Sequence, residues 1–530
     1  MSKVPVLFDA NGSFGKSSTG EPDFPDIADR LAFMNRFGVS RALVWNVSSV
    51  QNHAGCSNRT LLDRIAATPG ARGRIIPCLS VSGLSDYEEG GVTELVAQMR
   101  EGETRALRFA SVFGRLTLRQ LEPVMPVLRR LRPFIVMRHD QASSQDILDF
   151  TARFPEVSVI LTDVSWGPCI TVFDLMRQRK NVLVDNSWLH SYGAIELVVK
   201  RFGADRLVFG MGSKSHNGAA IAALARAAIS EADRRLIACG NLERLAGLKP
   251  GRAVEPLVPK GNTLWPRFLE GKPLANVDII DAHGHLGPSG GYVLEAQSEE
   301  RQLRRALKDM DAIGIRTFLV SGLQALMGGP VEGNDLVGSL LAPHAGRVQG
   351  YVTYNPFYGK ELLPRLDGYF GGKVFVGFKT LCDYWKLPIT DSRFEPMWRY
   401  ANRRRLPVLS HTWGGAFDSP AMFRDLAKKY PRVPFLLGHS GGGDAGRLEA
   451  EALAKQFRNV YLEWCGSFCS TISWEKTLET VPADQVVFGT DAMVHDFNWE
   501  LGRLLSLNAP DSVIVPILGS TMRGLLARRK

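Results

Sequence analysis

The residues of this sequence best suited to chemistry are four histidines, two carboxylates and a lysine, each at the end of a short apolar run. Asp281-Ala-His283-Gly-His285 follows Ile279-Ile280, Lys379 follows Phe375-Val-Gly-Phe378, and His411 follows Val408-Leu-Ser410. His439 follows Phe435-Leu-Leu-Gly438, Glu463 follows Val460-Tyr-Leu462, and Asp491 follows Val486-Val-Phe-Gly-Thr490. The two-residue spacing of His283 and His285 points both rings to one side of an extended strand. Two imidazoles beside a further histidine and a carboxylate make a zinc site of three or four ligands. The same nitrogen and oxygen donors also suit other divalent ions. A bound divalent ion lowers the pKa of its water to roughly 7 and so supplies a nucleophile at neutral pH. Taken singly, each residue has a plainer role. Asp491 can cap a helix, His439-Ser-Gly-Gly-Gly can simply turn a loop into a helix, and Lys379 with Glu463 can form a partly buried ion pair. The ordered set, each member closing its own strand, is what points to a metal.

The elements that must position these groups are strands. Val277–Ile280, Thr317–Val320, Arg347–Thr353, Val374–Lys379, Pro407–Ser410, Pro434–Leu437, Val460–Leu462 and Val486–Phe488 read as strands. Amphipathic helical stretches such as Glu300–Ile313 and Ala421–Lys429 lie between them. Eight β/α units in about 250 residues is the size of a TIM barrel, whose active site lies at the C-terminal ends of the strands.

The chain also repeats itself at a nearly constant offset. Asp9-Ala-Asn-Gly-Ser-Phe-Gly15 matches Asp281-Ala-His-Gly-His-Leu-Gly287, Arg153-Phe-Pro-Glu-Val157 matches Lys429-Tyr-Pro-Arg-Val433, and Asn181-Val-Leu-Val-Asp185 matches Asn459-Val-Tyr-Leu-Glu463. Ala204-Asp-Arg-Leu-Val-Phe-Gly210 matches Ala483-Asp-Gln-Val-Val-Phe-Gly489. The expected architecture is α/β, two tandem TIM-like (β/α)8 barrels: a degenerate copy over 1–249, a Pro/Gly-rich linker over 250–275 and a metal-binding copy over 276–530. In the first copy Asn11 stands for His283, Ser13 for His285, Asp163 for His439 and Gly212 for Asp491; His411 falls near Met137, with Arg138 and His139 beside it. An amide, a hydroxyl and a glycine cannot replace that ligand set.

Hydrophobic residues make up 45% and charged residues 22%, as in an ordinary globular protein. The net charge of +10 is scattered, its densest runs being Arg403-Arg404-Arg405 and Arg528-Arg529-Lys530. Neither run is interleaved with aromatics, which argues against nucleic-acid binding. Seven cysteines without a CxxC pair fit reduced thiols. The run Val4–Phe8 is too short for a signal segment, and no stretch is long enough to span a membrane. A cytoplasmic protein is expected.

Asp281-Ala-His-Gly-His285, Gly377-Phe-Lys379, Leu406-Pro-Val-Leu-Ser-His411, Leu437-Gly-His-Ser-Gly-Gly442, Asn459-Val-Tyr-Leu-Glu463 and Phe488-Gly-Thr-Asp491 together resemble the amidohydrolase-related family of the amidohydrolase superfamily. The resemblance implies one divalent ion per chain, zinc with manganese as the alternative, held by His283, His285, His411 and Asp491. It implies His439 as general acid/base and Asp491 as an orienter of the metal's water. Lys379 and Glu463 are implied as outer-shell or substrate-facing groups, and a carbamylated Lys379 bridging two metals is the binuclear variant. Trp413, Asp418, Arg393, Tyr384 and Trp385 follow or flank the ligand strands and are candidates to line a substrate pocket. The expected activity is hydrolysis of a small amide, lactone or ester; the alternative is non-oxidative decarboxylation of a small unsaturated or aromatic acid. A small-molecule substrate and an intramolecular barrel–barrel contact are the expected partners, with homo-oligomerisation left open.

Overall fold

The computed structural model describes residues 6–18, 20–109, 117–165, 167–288, 298–466 and 474–530. Cys469 lies outside the described residues, and the other cysteines are free thiols. The chain divides into two compact units, Met1–Val258 and Pro259–Lys530. No helix among the described residues is long and apolar enough to cross a membrane.

In the first unit the strands are β1 (Leu7–Phe14), β2 (Val39–Asn46), β3 (Ile75–Pro77), β4 (Leu79–Val81), β5 (Ala106–Phe109), β6 (Phe134–Arg138), β7 (Val159–Thr162), β8 (Val182–Asp185) and β9 (Leu207–Val208). β3 and β4 are one strand position interrupted at Cys78, whose amide donates to Val44 O at 2.8 Å. Every pairing is parallel and follows chain order. The ring closes where Ala10 N donates to Phe209 O at 2.8 Å.

The second unit holds an eight-stranded parallel sheet in chain order. Its strands are β10 (Ile279–Leu286), β11 (Ile315–Gly322), β12 (Val348–Thr353), β13 (Phe375–Thr380), β14 (Val408–His411), β15 (Phe435–Gly438), β16 (Val460–Trp464) and β17 (Val486–Phe488). Closure comes from the Gly284–Ala492 bridge and from Asp491 N donating to His283 O at 2.7 Å. Each unit is a (β/α)8 barrel. Both copies carry register shifts at equivalent places in their first pairing, between Asp9 and Gly12 and between Asp281 and Gly284.

The barrel interior is filled by alternate residues of the strands, as a parallel sheet buried on both faces requires. Ile280, Ala282, Leu319, Val376, Leu409, Leu436 and Val487 form this core in the second unit. Met522 and Leu525 of helix Thr521–Ala527 join it and cover the N-terminal end. Leu242 and Ala246 of helix Asn241–Ala246 occupy the same place in the first unit. Burying a side chain of this size stabilises the fold by roughly 1.5–3 kcal/mol. The apolar plug leaves the opposite, C-terminal end for polar groups.

The segment read as a linker over 250–275 is not uniformly a connector. Leu264–Leu269 is a helix that buries Leu264, Trp265 and Phe268, and Asn262 Nδ2 donates to Leu505 O at 2.9 Å. Pro266 sits in the first turn of that helix, where a missing N–H costs nothing.

Candidate metal centre

β10 carries the first two site residues within the strand itself. His283 and His285 both lie on the extended segment, whereas the sequence placed the strand's end before them. Between them Gly284 approaches the ring of Phe318 and Ala492 O so closely that a Cβ would lie 2.1 and 2.8 Å away. Asp281 fixes the base of the site. Its carboxylate accepts from His283 N at 3.1 Å and Thr490 N at 3.0 Å, tying β10 to the segment that carries Asp491.

His285 Nε2 lies 2.8 Å from Asp491 Oδ1, and His283 Nε2 lies 3.7 Å from the same oxygen. These three residues offer donor atoms that all fall within 4.8 Å of one another. The far nitrogen of each ring is engaged: His283 Nδ1 with Glu463 Oε2 at 3.1 Å, His285 Nδ1 with Ser321 Oγ at 3.0 Å. Such outer partners fix the tautomer that presents Nε2 to an ion. Burial lowers the His285 pKa to about 4, so this ring stays neutral and able to ligate near neutral pH. Burial alone would raise Asp491, but the imidazoles of His283, His495 and His285 outweigh it and hold its carboxyl well below the usual range. Two imidazoles and an ionised carboxylate, with their outer partners in place, fit a divalent ion.

Lys379 and Glu463 do not pair with each other; they hold opposite nitrogens of one ring. Lys379 Nζ is 2.6 Å from His283 Nε2, the nitrogen that also faces Asp491. Burial lowers the pKa of this amine. Glu463 further accepts from His439 N at 3.0 Å and so connects the two histidines.

His439 and His411 stand beside the triad. The His439 ring centroid is 5.1 Å from that of His283 and 4.9 Å from that of His411. Burial depresses the His439 pKa well below its usual value, which keeps the ring neutral. His411 is outside the three-residue group; its Nδ1 meets Asp418 Oδ2 at 2.7 Å and its ring stacks on Trp413 at 5.5 Å. Trp413 is 37% exposed and Tyr384 44% exposed, so these two rings flank His411 at the solvent side. Gly442 makes room for Trp413: a Cβ there would lie 2.8 Å from the indole. Arg393 is engaged by Asp391 at 2.8 and 2.9 Å, and the Trp385 indole donates to Leu326 O.

Two residues of this neighbourhood escaped the sequence reading. Cys465 Sγ is 3.1 Å from Glu463 Oε2, 3.1 Å from His283 Nδ1 and 3.3 Å from His439 Nδ1. Burial and the Glu463 carboxylate push its thiol pKa well up, so it stays protonated. Its signal was its position two residues past Glu463. Ser321 was detectable by the strand-end rule that found the others, since it stands near the end of β11. Ser321→Ala is expected to weaken metal affinity by about 10–100-fold with the fold intact. Competition with a chelator of known affinity measures this, and unchanged affinity counts against Ser321 as the group that orients His285.

The first unit repeats the backbone without these donors. Asp163 adopts φ 60° and Gly212 φ 66°, as His439 adopts 63° and Asp491 60°. Asn11 Nδ2 donates to Asp163 Oδ1 at 3.0 Å and Ser187 Oγ at 3.2 Å. The ladder pairs Arg138 with Thr162 as it pairs His411 with Gly438, which sets the His411 equivalent at Arg138. Among the described residues, no group of three potential ligands lies wholly within the first unit.

The chain is similar in structure to 2,6-dihydroxybenzoate decarboxylase from Rhizobium, at 14% identity over 47% of this chain and 99% of that one, with a TM-score of 0.38. It is similar to 5-carboxyvanillate decarboxylase from Sphingomonas paucimobilis, at 13% identity over 47% and 99%, TM-score 0.38. It is also similar to 5-carboxyvanillate decarboxylase from Novosphingobium aromaticivorans complexed with manganese, at 13% identity over 48% and 98%, TM-score 0.39. No curated protein matches the chain. The amidohydrolase family model matches residues 22–248 and again 280–519. Each match falls on one barrel, together they span most of the sequence, and the chain therefore belongs to the amidohydrolase family.

Proposed function

We propose that the second barrel is a metal-dependent hydrolase of a small amide, lactone or ester, and that the first is a related barrel without a metal. The observation that carries this reading is the convergence of His283 Nε2, His285 Nε2 and Asp491 Oδ1, with both rings anchored from behind. A divalent ion bound there, zinc or manganese, supplies Lewis acidity and a water whose pKa falls toward roughly 7. His439, neutral and beside the triad, takes a proton from the attacking water and returns it to the leaving group. Glu463 holds His283 and the His439 backbone in mutual register. Asp491 orients the nucleophile, and Lys379 lies on the same side of His283 as Asp491, at Nε2, where it can face the substrate. Trp413 and Tyr384 form the wall against which a flat substrate rests.

The test is product analysis on the metal-loaded full chain with a panel of small amides, lactones, esters and aromatic acids. Hydrolysis products are expected. Release of carbon dioxide from an acid, with no hydrolysis of the rest, would replace this reading by a carboxy-lyase.

A further inference from the structure

The two basic runs that stood apart in the sequence meet in the fold. Arg404 Nε donates to Lys530 O at 3.1 Å, and Lys530 N donates to Arg404 O at 3.0 Å. This juncture lies at the N-terminal end of the second barrel, away from the metal centre. Beside it runs a cleft of about 540 Å³, lined among others by Arg405, Lys428, Arg432, Arg458 and Arg528, with Tyr461 in its wall. Arg458 is neutralised by Asp484 at 3.0 Å. Among the described residues, Arg405, Lys428, Arg432 and Arg528 have no carboxylate within ion-pair distance, and Arg405 Nε is buried without a hydrogen-bond partner.

The fold does not require this charge, and the first barrel is the internal control. Arg132 and Arg405 end equivalent helices at φ 52° and 56°. Asn181 ties the carbonyls of Thr151, Phe154 and Val157 as Asn459 ties those of Ala427, Tyr430 and Val433. In that shared framework the first copy has Ala152 where the second has Lys428, and Glu156 where it has Arg432. Arg132 already stands at the Arg405 position and Lys180 at the Arg458 position, so the charges shown to be particular to the second copy are Lys428 and Arg432. Added to a concavity that already holds cations, they repel, and a bound anion offsets them.

The geometry points to a binding site in this cleft for a small polyanion carrying two or more phosphoryl groups. Guanidinium forks match phosphate oxygens in pairs. The volume lies within the usual range for small-ligand pockets, about 300–1,000 Å³. An extended nucleic acid is a poorer occupant, because Tyr461 is only 6% exposed and offers no stacking platform. The site is separate from the metal centre, although Tyr461 is two residues before Glu463 on β16.

Calorimetric titration of tripolyphosphate into the full chain, at ~0.15 M salt, tests this. One saturable site per chain is expected, weakened at least about tenfold in R432E/R528E. Arg432→Glu installs the residue the first barrel already tolerates, and circular dichroism verifies the fold. R129E/R130E, exposed in the first barrel and equal in charge change, is expected to bind like the wild type. Absence of a saturable site, or equal weakening in both double variants, overturns the proposal. So does displacement of tripolyphosphate by a short oligonucleotide that binds more tightly, which would make the face a nucleic-acid surface.

Discussion

Asp491→Ala protein is expected to purify with less than about a tenth of the wild-type metal, and to lose at least ~10³-fold in turnover. Asp491 is the only carboxylate of the converging triad, and both imidazoles face its Oδ1. Removing it leaves two imidazoles without the carboxylate charge that offsets a divalent ion. His283→Ala is expected to match it, because that ring is also the hub on which Lys379 and Glu463 converge. Elemental mass spectrometry on chelator-free preparations, with circular dichroism to verify folding, measures the outcome. About one ion per wild-type chain is expected. A full complement in Asp491→Ala would sink the assigned ligand set, and near two ions per wild-type chain would bring back Lys379 as a carbamylated bridge.

His439→Asn is expected to lower turnover by about 10²–10⁴-fold while leaving the metal in place. Asparagine is the suitable replacement because the position has φ 63°, which Asn tolerates better than most residues. The depressed pKa of His439 carries a sign. Its folded-state value lies below the ordinary one, so the neutral base persists as pH falls, and the acid limb of kcat/KM should lie below the usual histidine range. Parallel loss of metal and activity in His439→Asn would instead make this ring a ligand.

The barrel was legible because its cues are local and repeated. All eight strands of the second unit were readable as apolar runs, six of them followed by a ligand-type side chain, and the strict period of a β/α repeat gives such runs little freedom. Three features resisted. The Pro/Gly density around Pro266 concealed a helix, since composition does not distinguish a proline in a first turn from one in a linker. The contacts that hold the His411 ring were not readable, because the Asp418 contact and the Trp413 stack come from loop residues and nothing periodic announces them. Cys465 was passed over for a similar reason, its place two residues past Glu463 being a weak signal. A buried thiol usually reads as a small hydrophobe, and only the third dimension brings it against Glu463 and two imidazoles.

The left-handed backbone at Gly212 and Asp491 is common to both barrels, and an aspartate can adopt it, as Asp491 does. A Cβ on Gly212 would stand 3.1 Å from Ser187 Cβ and 3.2 Å from His216 Nδ1, so these neighbours would have to yield slightly. They occupy the places of Cys465 and His495 in the second barrel, where an aspartate is accommodated beside His495. The cradle is therefore what the two halves share, and the side chains set on it are what separate a barrel with a metal triad from one without.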